Sequence, residues 1–228
     1  NTPGILNGAT ADMGFALLLA AARRLVEGDR YARSPEFTVY DPGFMLGSEV
    51  HGTTLGIIGL GRIGRQVARR ARGFDMRVLY HNRRPRPEAE EELGAEYAAL
   101  DDLLGQSDYV LLSCPLTPET TGLIDAAALT KMKSSAILIN IARGPVVDTT
   151  ALTEALRDGK IAAAGLDVTD PEPLPRDHPL LHLDNVTVVP HFGSATIQTR
   201  RRMAEISVEN LLAGLAGKPL KFAVQPSP

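Results

Sequence analysis

From Thr54 onward the chain alternates short apolar runs with stretches whose apolar residues recur at helical spacing. The apolar runs at 54–59, 76–81, 109–112, 136–141, 162–167 and 186–189 predict strands, with a short additional strand at 95–97. The intervening patterns predict helices over 63–72, 87–93, 100–106, 125–131 and 149–158. Strands that are apolar throughout and separated by helices form a parallel sheet covered on both faces. Upstream, 10–27 reads as an apolar-rich helix ended by Gly28, and 29–52 as a long polar connection bearing Pro and Gly, suited to an arm that packs on a partner subunit. A last helix is predicted over 196–216, followed by a short Pro-containing tail with no assignable role. No internal repeat or low-complexity segment interrupts this order.

Composition narrows the class. Of 228 residues, 44% are hydrophobic and 22% charged, the balance of a soluble globular protein with a sizeable core. A net charge of −3 gives no global reason to expect a nucleic-acid or membrane partner, and the arginines at 69, 70 and 72 and at 200–202 read as polar helix faces. The single cysteine, Cys114, can form no internal disulfide and supplies no metal-ligand set, which fits a reducing, cytoplasmic setting. The longest apolar run, 15–22, is far short of the roughly 20 residues that span a bilayer. The chain opens on Asn1 rather than methionine, so the lack of a signal peptide carries no weight.

The chemistry begins at Gly59-Leu60-Gly61-Arg62-Ile63-Gly64, which lies between the strand at 54–59 and the helix at 63–72. In that context the pattern is a dinucleotide-binding turn. Gly59 permits the tight turn, Gly61 lets the backbone approach a pyrophosphate, and Gly64 lets helix and strand pack closely, with the helix N-terminal amides facing the phosphates. The fold class expected is therefore α/β, a Rossmann-type doubly wound parallel sheet. An acid about 20 residues beyond the glycines ordinarily holds the ribose 2′-hydroxyl. Here Asn82-Arg83-Arg84 stands instead, and arginines can neutralise a 2′-phosphate, so NADPH is expected in preference to NADH, with NAD still possible.

Ligands of such sheets sit at the carboxyl ends of the strands. Three ionisable residues lie at or just beyond those ends: Arg143, Glu172 and His191. Reduction of a carbonyl requires a proton for the developing alkoxide, work for which histidine suits neutral pH, and His191 is the candidate acid. A carboxylate on its other ring nitrogen would orient the imidazole and favour its protonated form, the task expected of Glu172. Arg143 can clamp a substrate carboxylate with its planar fork and polarise the neighbouring carbonyl. No His, Cys or carboxylate spacing matches a metal site, and no GxSxG elbow of a serine hydrolase is present.

Together with Asn140-Ile141-Ala142-Arg143-Gly144, Gly165-Leu166-Asp167-Val168, Glu172-Pro173 and Pro190-His191-Phe192-Gly193-Ser194-Ala195-Thr196, the glycine motif resembles the D-isomer-specific 2-hydroxyacid dehydrogenase family, most closely its glyoxylate reductase/hydroxypyruvate reductase branch. The resemblance implies Arg143, Glu172 and His191 as catalytic residues, with Ser194 beside His191 facing substrate or cofactor. It implies that Asp167 holds the nicotinamide carboxamide, that Arg62 and Ile63 touch the pyrophosphate, and that Pro115, Ile141 and Gly193 line the cofactor. It also implies a small 2-keto or 2-hydroxy acid as substrate, and a homodimer through the first helix and the arm at 29–52 is expected. Most of the flavodoxin-like substrate domain of that family is not in this sequence, so 1–195 is expected to be the NAD(P)-binding domain with its N-terminal helix and arm. Residues 196–228 are then the helix and tail returning toward the substrate domain. Two alternatives carry the same motifs: another D-2-hydroxyacid dehydrogenase, or a non-catalytic NAD(P)H-sensing interaction module like the related C-terminal-binding corepressors.

Overall fold

The computed structural model describes residues 1–224. Seven parallel strands form one sheet in the order β3-β2-β1-β4-β5-β6-β7. They are β1 Thr54–Ile58, β2 Arg77–His81, β3 Ala95–Tyr97, β4 Tyr109–Leu112, β5 Ile137–Asn140, β6 Ala163–Leu166 and β7 Val186–Val188. Each lies within a residue or two of its expected position. This is the doubly wound parallel sheet read from the sequence, and its strand order reverses between β1 and β4.

The helices α1 Asn7–Ala22, α2 Leu25–Ala32, α3 Arg62–Ala71, α4 Pro87–Leu93, α5 Leu100–Gln106, α6 Ala126–Lys131, α7 Thr149–Arg157 and α8 Ile197–Leu215 complete the fold. Side chains alternate across the strands, so each face of the sheet receives its own apolar core. On one face Leu55, Ile57, Val78, Leu111 and Ile139 pack against α1 and α3 through Phe15, Leu18 and Val67. On the other, Ile58, Val110, Leu112 and Leu138 meet Leu103, Leu129 and Leu152 of α5, α6 and α7. Among the described residues, no helix is long and apolar enough to cross a membrane.

The N-terminal region departs from the expectation. The helix expected over 10–27 breaks after Ala22, and α2 starts at Leu25, so Gly28 lies inside a helix instead of ending one and the connection begins only after Ala32. The cause is tertiary. Ser48 N–H donates to the Ala22 carbonyl oxygen at 2.8 Å. Gly47 runs so close that a Cβ there would lie 2.5 Å from the same oxygen. The break is taken up by Arg24 in the left-handed conformation (φ 51°), which then pairs with Glu27 through two hydrogen bonds of 2.7 and 2.8 Å. A chain segment more than twenty residues downstream thus overrides the local helical pattern.

The connection itself is exposed at Phe37, Val39, Tyr40 and Leu46, while Tyr31 packs on Phe37 and Phe44. It rejoins the core at Val50, and the Glu49 carbonyl oxygen accepts from the buried Tyr109 hydroxyl at 2.7 Å. α8 begins as expected, with the Thr196 hydroxyl capping Thr199 N–H, but Ile206 is its only buried residue. Of the tail beyond it, the last four residues lie outside the described ones.

Burial pushes the phenols of Tyr80 and Tyr109 up to about 12. A phenol whose folded value is raised contributes stability that is fully present below its ordinary value of 10 and is lost as pH rises through 12. Alkaline titration followed by phenolate absorbance is expected to show two tyrosines ionising only near pH 12, together with loss of far-UV structure. Ionisation of all five tyrosines by pH 11, with structure retained, would contradict this.

Candidate active site

Two groups of residues gather at the carboxyl ends of the strands. The first surrounds a cavity of about 650 Å³ at the point where strand order reverses. Gly59, Gly61, Asn82, Arg83, Arg84 and Pro115 line it. Gly59 turns with φ 102°, and a Cβ there would lie 2.5 Å from Cys114 N, so the turn and the close approach of the segments that follow the paired strands β1 and β4 both demand glycine. Its carbonyl oxygen accepts from the Ser113 hydroxyl at 2.8 Å. The Asn82 carboxamide oxygen accepts from Leu60 N–H at 2.8 Å, tying the end of β2 to the glycine turn. Gly64 is buried where a Cβ would meet the Gly59 carbonyl oxygen at 2.3 Å.

Gly61 is different. A Cβ there would meet no atom of the chain within 4 Å, so nothing in the protein excludes a side chain. The position is exposed and opens onto the cavity, which leaves room there for a ligand backbone or phosphate. Arg62 and Ile63, the first two residues of α3, follow at once, and no side chain caps that helix end. Its free amides, the positive end of the helix dipole and the arginines at 83, 84 and 86 around one cavity fit the diphosphate of a dinucleotide.

The second group lies at the ends of β5, β6 and β7. His191 Nδ1 is 2.7 Å from Glu172 Oε1, with both side chains a little under half exposed. His191 sits at φ 56°, a conformation that costs a non-glycine residue on the order of 1–3 kcal/mol. Asp167 holds it there. The Asp167 carbonyl oxygen accepts from His191 N–H at 2.9 Å, Oδ1 from Phe192 N–H at 2.6 Å and Oδ2 from Gly193 N–H at 2.9 Å. Burial pushes the Asp167 carboxyl above the ordinary carboxylate range, against the pull of these two amides and of His191. The carboxylate has acceptor capacity beyond these two bonds. In the chain its partners are the amides of the histidine turn.

Arg143 is exposed after β5, its guanidinium donating to the Ala142 carbonyl oxygen at 2.6 Å. Its turn is shaped by Asn140, which is 1% exposed. The Asn140 carboxamide accepts from Ala142 N–H at 2.9 Å and donates to the Arg143 carbonyl oxygen at 3.0 Å. A Cβ on Gly144 would lie 1.9 Å from the Thr169 carbonyl oxygen, so the Arg143 turn and the loop leading to Glu172 are in backbone contact. Ile141 is buried beneath this group, Gly193 is buried against Asp167 and Thr10, and Ser194 is half-buried beside His191.

The structure therefore brings Glu172 and His191 into direct contact, adds Arg143 through the neighbouring strand end, and gathers the glycines with the arginine pair around a separate cavity. Reasoning from the sequence missed the positioning work of Asn140. For Asn140 a signal existed, an amide closing the apolar run Ile137-Leu138-Ile139. At the opposite end of the strands a hollow of about 280 Å³, lined among others by Ala21, Arg24, Ser48, Ile137 and Val186, carries none of this chemistry. Among the described residues, no group of three or more His, Cys, Asp or Glu could hold a metal ion.

A doubly wound sheet with a glycine turn at its reversal point has the build of a dinucleotide-binding α/β domain. The family described as D-isomer specific 2-hydroxyacid dehydrogenase, NAD binding domain, matches residues 15–193, and the chain belongs to that family. It is 54% identical to the glyoxylate reductase of Korarchaeum cryptofilum over 96% of its own length and 66% of the relative's. It is 53% identical to the glyoxylate reductase of Pyrococcus horikoshii, again over 96% and 66% of the two chains. The crystal structure of the TT0316 protein from Thermus thermophilus superposes with a TM-score of 0.94 at 52% identity, covering 99% of this chain and 70% of that one. The chain thus spans just under two thirds of the length of the curated relatives it matches first.

Replacing Gly61 by Ala is expected to leave unfolding free energy within about 0.5 kcal/mol of wild type and to weaken binding of a nicotinamide dinucleotide roughly tenfold or more. Denaturant unfolding and titration of nicotinamide fluorescence measure the two effects. Unchanged cofactor affinity would remove Gly61 from the binding turn.

Proposed function

We propose that this chain is the cofactor-binding part of an NADPH-dependent reductase of glyoxylate or hydroxypyruvate, converting a small 2-keto acid to the 2-hydroxy acid. The observation that carries the reading is the 2.7 Å contact between His191 Nδ1 and Glu172 Oε1, at the same end of the sheet as the dinucleotide cavity. The glyoxylate reductases of similar sequence support the substrate class. When bound, the reduced nicotinamide supplies the hydride. The carboxylate of Glu172 can only accept, so Nδ1 of His191 carries hydrogen and Nε2 takes up and releases the second proton. That proton goes to the substrate oxygen as the carbonyl carbon gains the hydride, leaving a hydroxyl. Arg143 binds the substrate carboxylate and polarises the carbonyl, and Ser194 contacts substrate or cofactor beside His191.

On the cofactor side, Asp167 adds the nicotinamide carboxamide to the amides it already holds, while Arg62, Ile63, Pro115, Ile141 and Gly193 flank the dinucleotide. Arg83 and Arg84 neutralise a 2′-phosphate, which makes NADPH the preferred cofactor. Both line the cavity, and neither forms a salt bridge among the described residues, which supports that role. Residues 1–195 form the cofactor domain in this reading. α8 packs on a substrate domain, which accounts for Ile197 at 85% and Leu215 at 78% exposure. The lone, buried Cys114 is consistent with a cytoplasmic protein.

Turnover of glyoxylate and hydroxypyruvate by the full-length protein, with NADPH and with NADH, tests the reading. His191→Gln is expected to lower kcat by roughly 10²- to 10⁴-fold while NADPH binding stays nearly intact. Undiminished turnover would assign the proton to another group. NADPH binding with no turnover of any 2-keto acid would favour the sensing module.

A homodimer is part of the same proposal, through the expected first helix and the arm; since α1 is largely buried in this chain, the exposed part of that surface is α2 and the arm that follows it. Val39 and Tyr40 are 71% and 79% exposed there, with Phe37, Phe44 and Leu46 at half exposure or more. Such apolar clustering on a connection suits an interface with a second copy. Val39→Asp combined with Tyr40→Asp is expected to give monomers in analytical ultracentrifugation at concentrations where the parent protein is dimeric. A parent that is itself monomeric would remove the dimer from the proposal.

A further inference from the structure

Tyr80 and Glu90 take no part in the chemistry above, yet their hydrogen bonds end on the segment that carries Arg83 and Arg84. Tyr80 is the next-to-last residue of β2, fully buried, with its ring edge on Tyr97 at 5.6 Å between centroids. Its hydroxyl is used in both senses. It donates to Glu90 Oε1 at 2.5 Å and accepts from Arg86 N–H at 2.6 Å. Arg86 immediately precedes α4, and its carbonyl oxygen accepts from Ala89 and Glu90 N–H at 2.8 and 3.1 Å. Strand, loop and first helical turn are thereby closed into a ring through one phenol.

The other end of the loop is held where the Asn82 carboxamide accepts from Leu60 N–H. Between these anchors, Arg83 and Arg84 are exposed and form no salt bridge among the described residues. Their positions are therefore set by the backbone suspended between Asn82 and Arg86, not by partners of their own. Glu119 on the facing wall of the cavity feels the charge of Arg83, which helps hold its carboxyl below the usual range after the larger effects of the Thr117 hydroxyl and its own backbone amide.

We propose that Tyr80 is a specificity-determining positioning residue. Its hydroxyl fixes the backbone from Asn82 to Arg86 so that Arg83 and Arg84 meet a 2′-phosphate at the mouth of the cavity. The inference rests on the reading that this arginine pair selects NADPH. Removing the hydroxyl frees one end of the loop and leaves β2, the glycine turn and Asn82 in place, so the contact to the 2′-phosphate is lost selectively. A buried hydrogen bond to a charged partner is the relevant scale, which corresponds to roughly tenfold or more in affinity.

The test compares NADPH and NADH affinities by nicotinamide fluorescence for the wild-type protein, Tyr80→Phe, the double variant Arg83→Ala/Arg84→Ala, and the three changes combined. Amide hydrogen exchange is followed over residues 82–86. Tyr80→Phe is expected to weaken NADPH about tenfold, to leave NADH within about twofold, and to speed exchange of the Arg86 amide. In the arginine-free background it is expected to cause no further loss of NADPH, because the two changes act through one contact. Glu90→Ala releases the same phenol from the outside of α4 and is expected to shift the NADPH-to-NADH ratio in the same direction, which keeps the test decisive if Tyr80→Phe folds poorly. Equal weakening of both cofactors, or an unchanged ratio in both variants, would overturn the proposal. A wild-type protein that binds NADPH no tighter than NADH, or arginine variants that keep NADPH affinity, would instead remove the cofactor reading, and the role of Tyr80 with it.

Discussion

The candidate active site depends on one buried carboxylate. Asp167 is 2% exposed, and it holds three consecutive backbone amides, those of His191, Phe192 and Gly193, through its main-chain oxygen and both side-chain oxygens. Its own N–H donates to the Asn140 carbonyl oxygen on β5. The ends of β5, β6 and β7 are thereby locked to one another at the place where Arg143, Glu172 and His191 emerge. A left-handed histidine is unfavourable alone and persists because the surrounding bonds over-determine it. The same turn brings its ring to Glu172 from a loop that Gly144 lets approach the Arg143 turn.

The cofactor side uses a different device. Gly59 and Gly64 are required by the protein itself, since a side chain at either would strike backbone. Gly61 is required by nothing in the chain, and an uncapped helix end stands next to it. Within a single six-residue motif, packing of the chain thus accounts for Gly59 and Gly64 and not for Gly61. In the loop beyond β2, Asn82 holds Leu60 N–H and Tyr80 holds Arg86 N–H, and Arg83 and Arg84, between Asn82 and Arg86, form no salt bridge among the described residues.

Much of this was legible in the sequence, for identifiable reasons. Strands buried on both faces must be apolar throughout, so β1, β4 and β5 announced themselves, and the glycine pattern between β1 and α3 located the reversal point of the sheet. Arg143, Glu172 and His191 were found because each follows a strand end or lies in a loop just beyond one, where ligands of such sheets sit, and because the three together suit one reaction. The α1–α2 break was not legible, because Ala22, Arg23 and Arg24 continue a helical pattern and the group that ends it is the amide of Ser48. The role of Tyr80 was equally hidden. A tyrosine in a buried strand looks like core, and only the folded chain brings Arg86 N–H and Glu90 to its hydroxyl.

What the sequence determined by itself was the periodicity of its apolar residues, hence the parallel α/β sheet, and the identity of the groups available at the strand ends. These are local properties, because burial on two faces and tight turns restrict residue type position by position. The tertiary structure alone decided which of those groups touch. The pairing of His191 with Glu172, the fixing of the histidine turn by Asp167, the anchoring of the arginine loop by Tyr80 and the break at Arg24 each join residues distant in the chain. Hydrogen bonds of this kind form only once the sheet has brought their partners within about 3 Å, a condition no local pattern encodes.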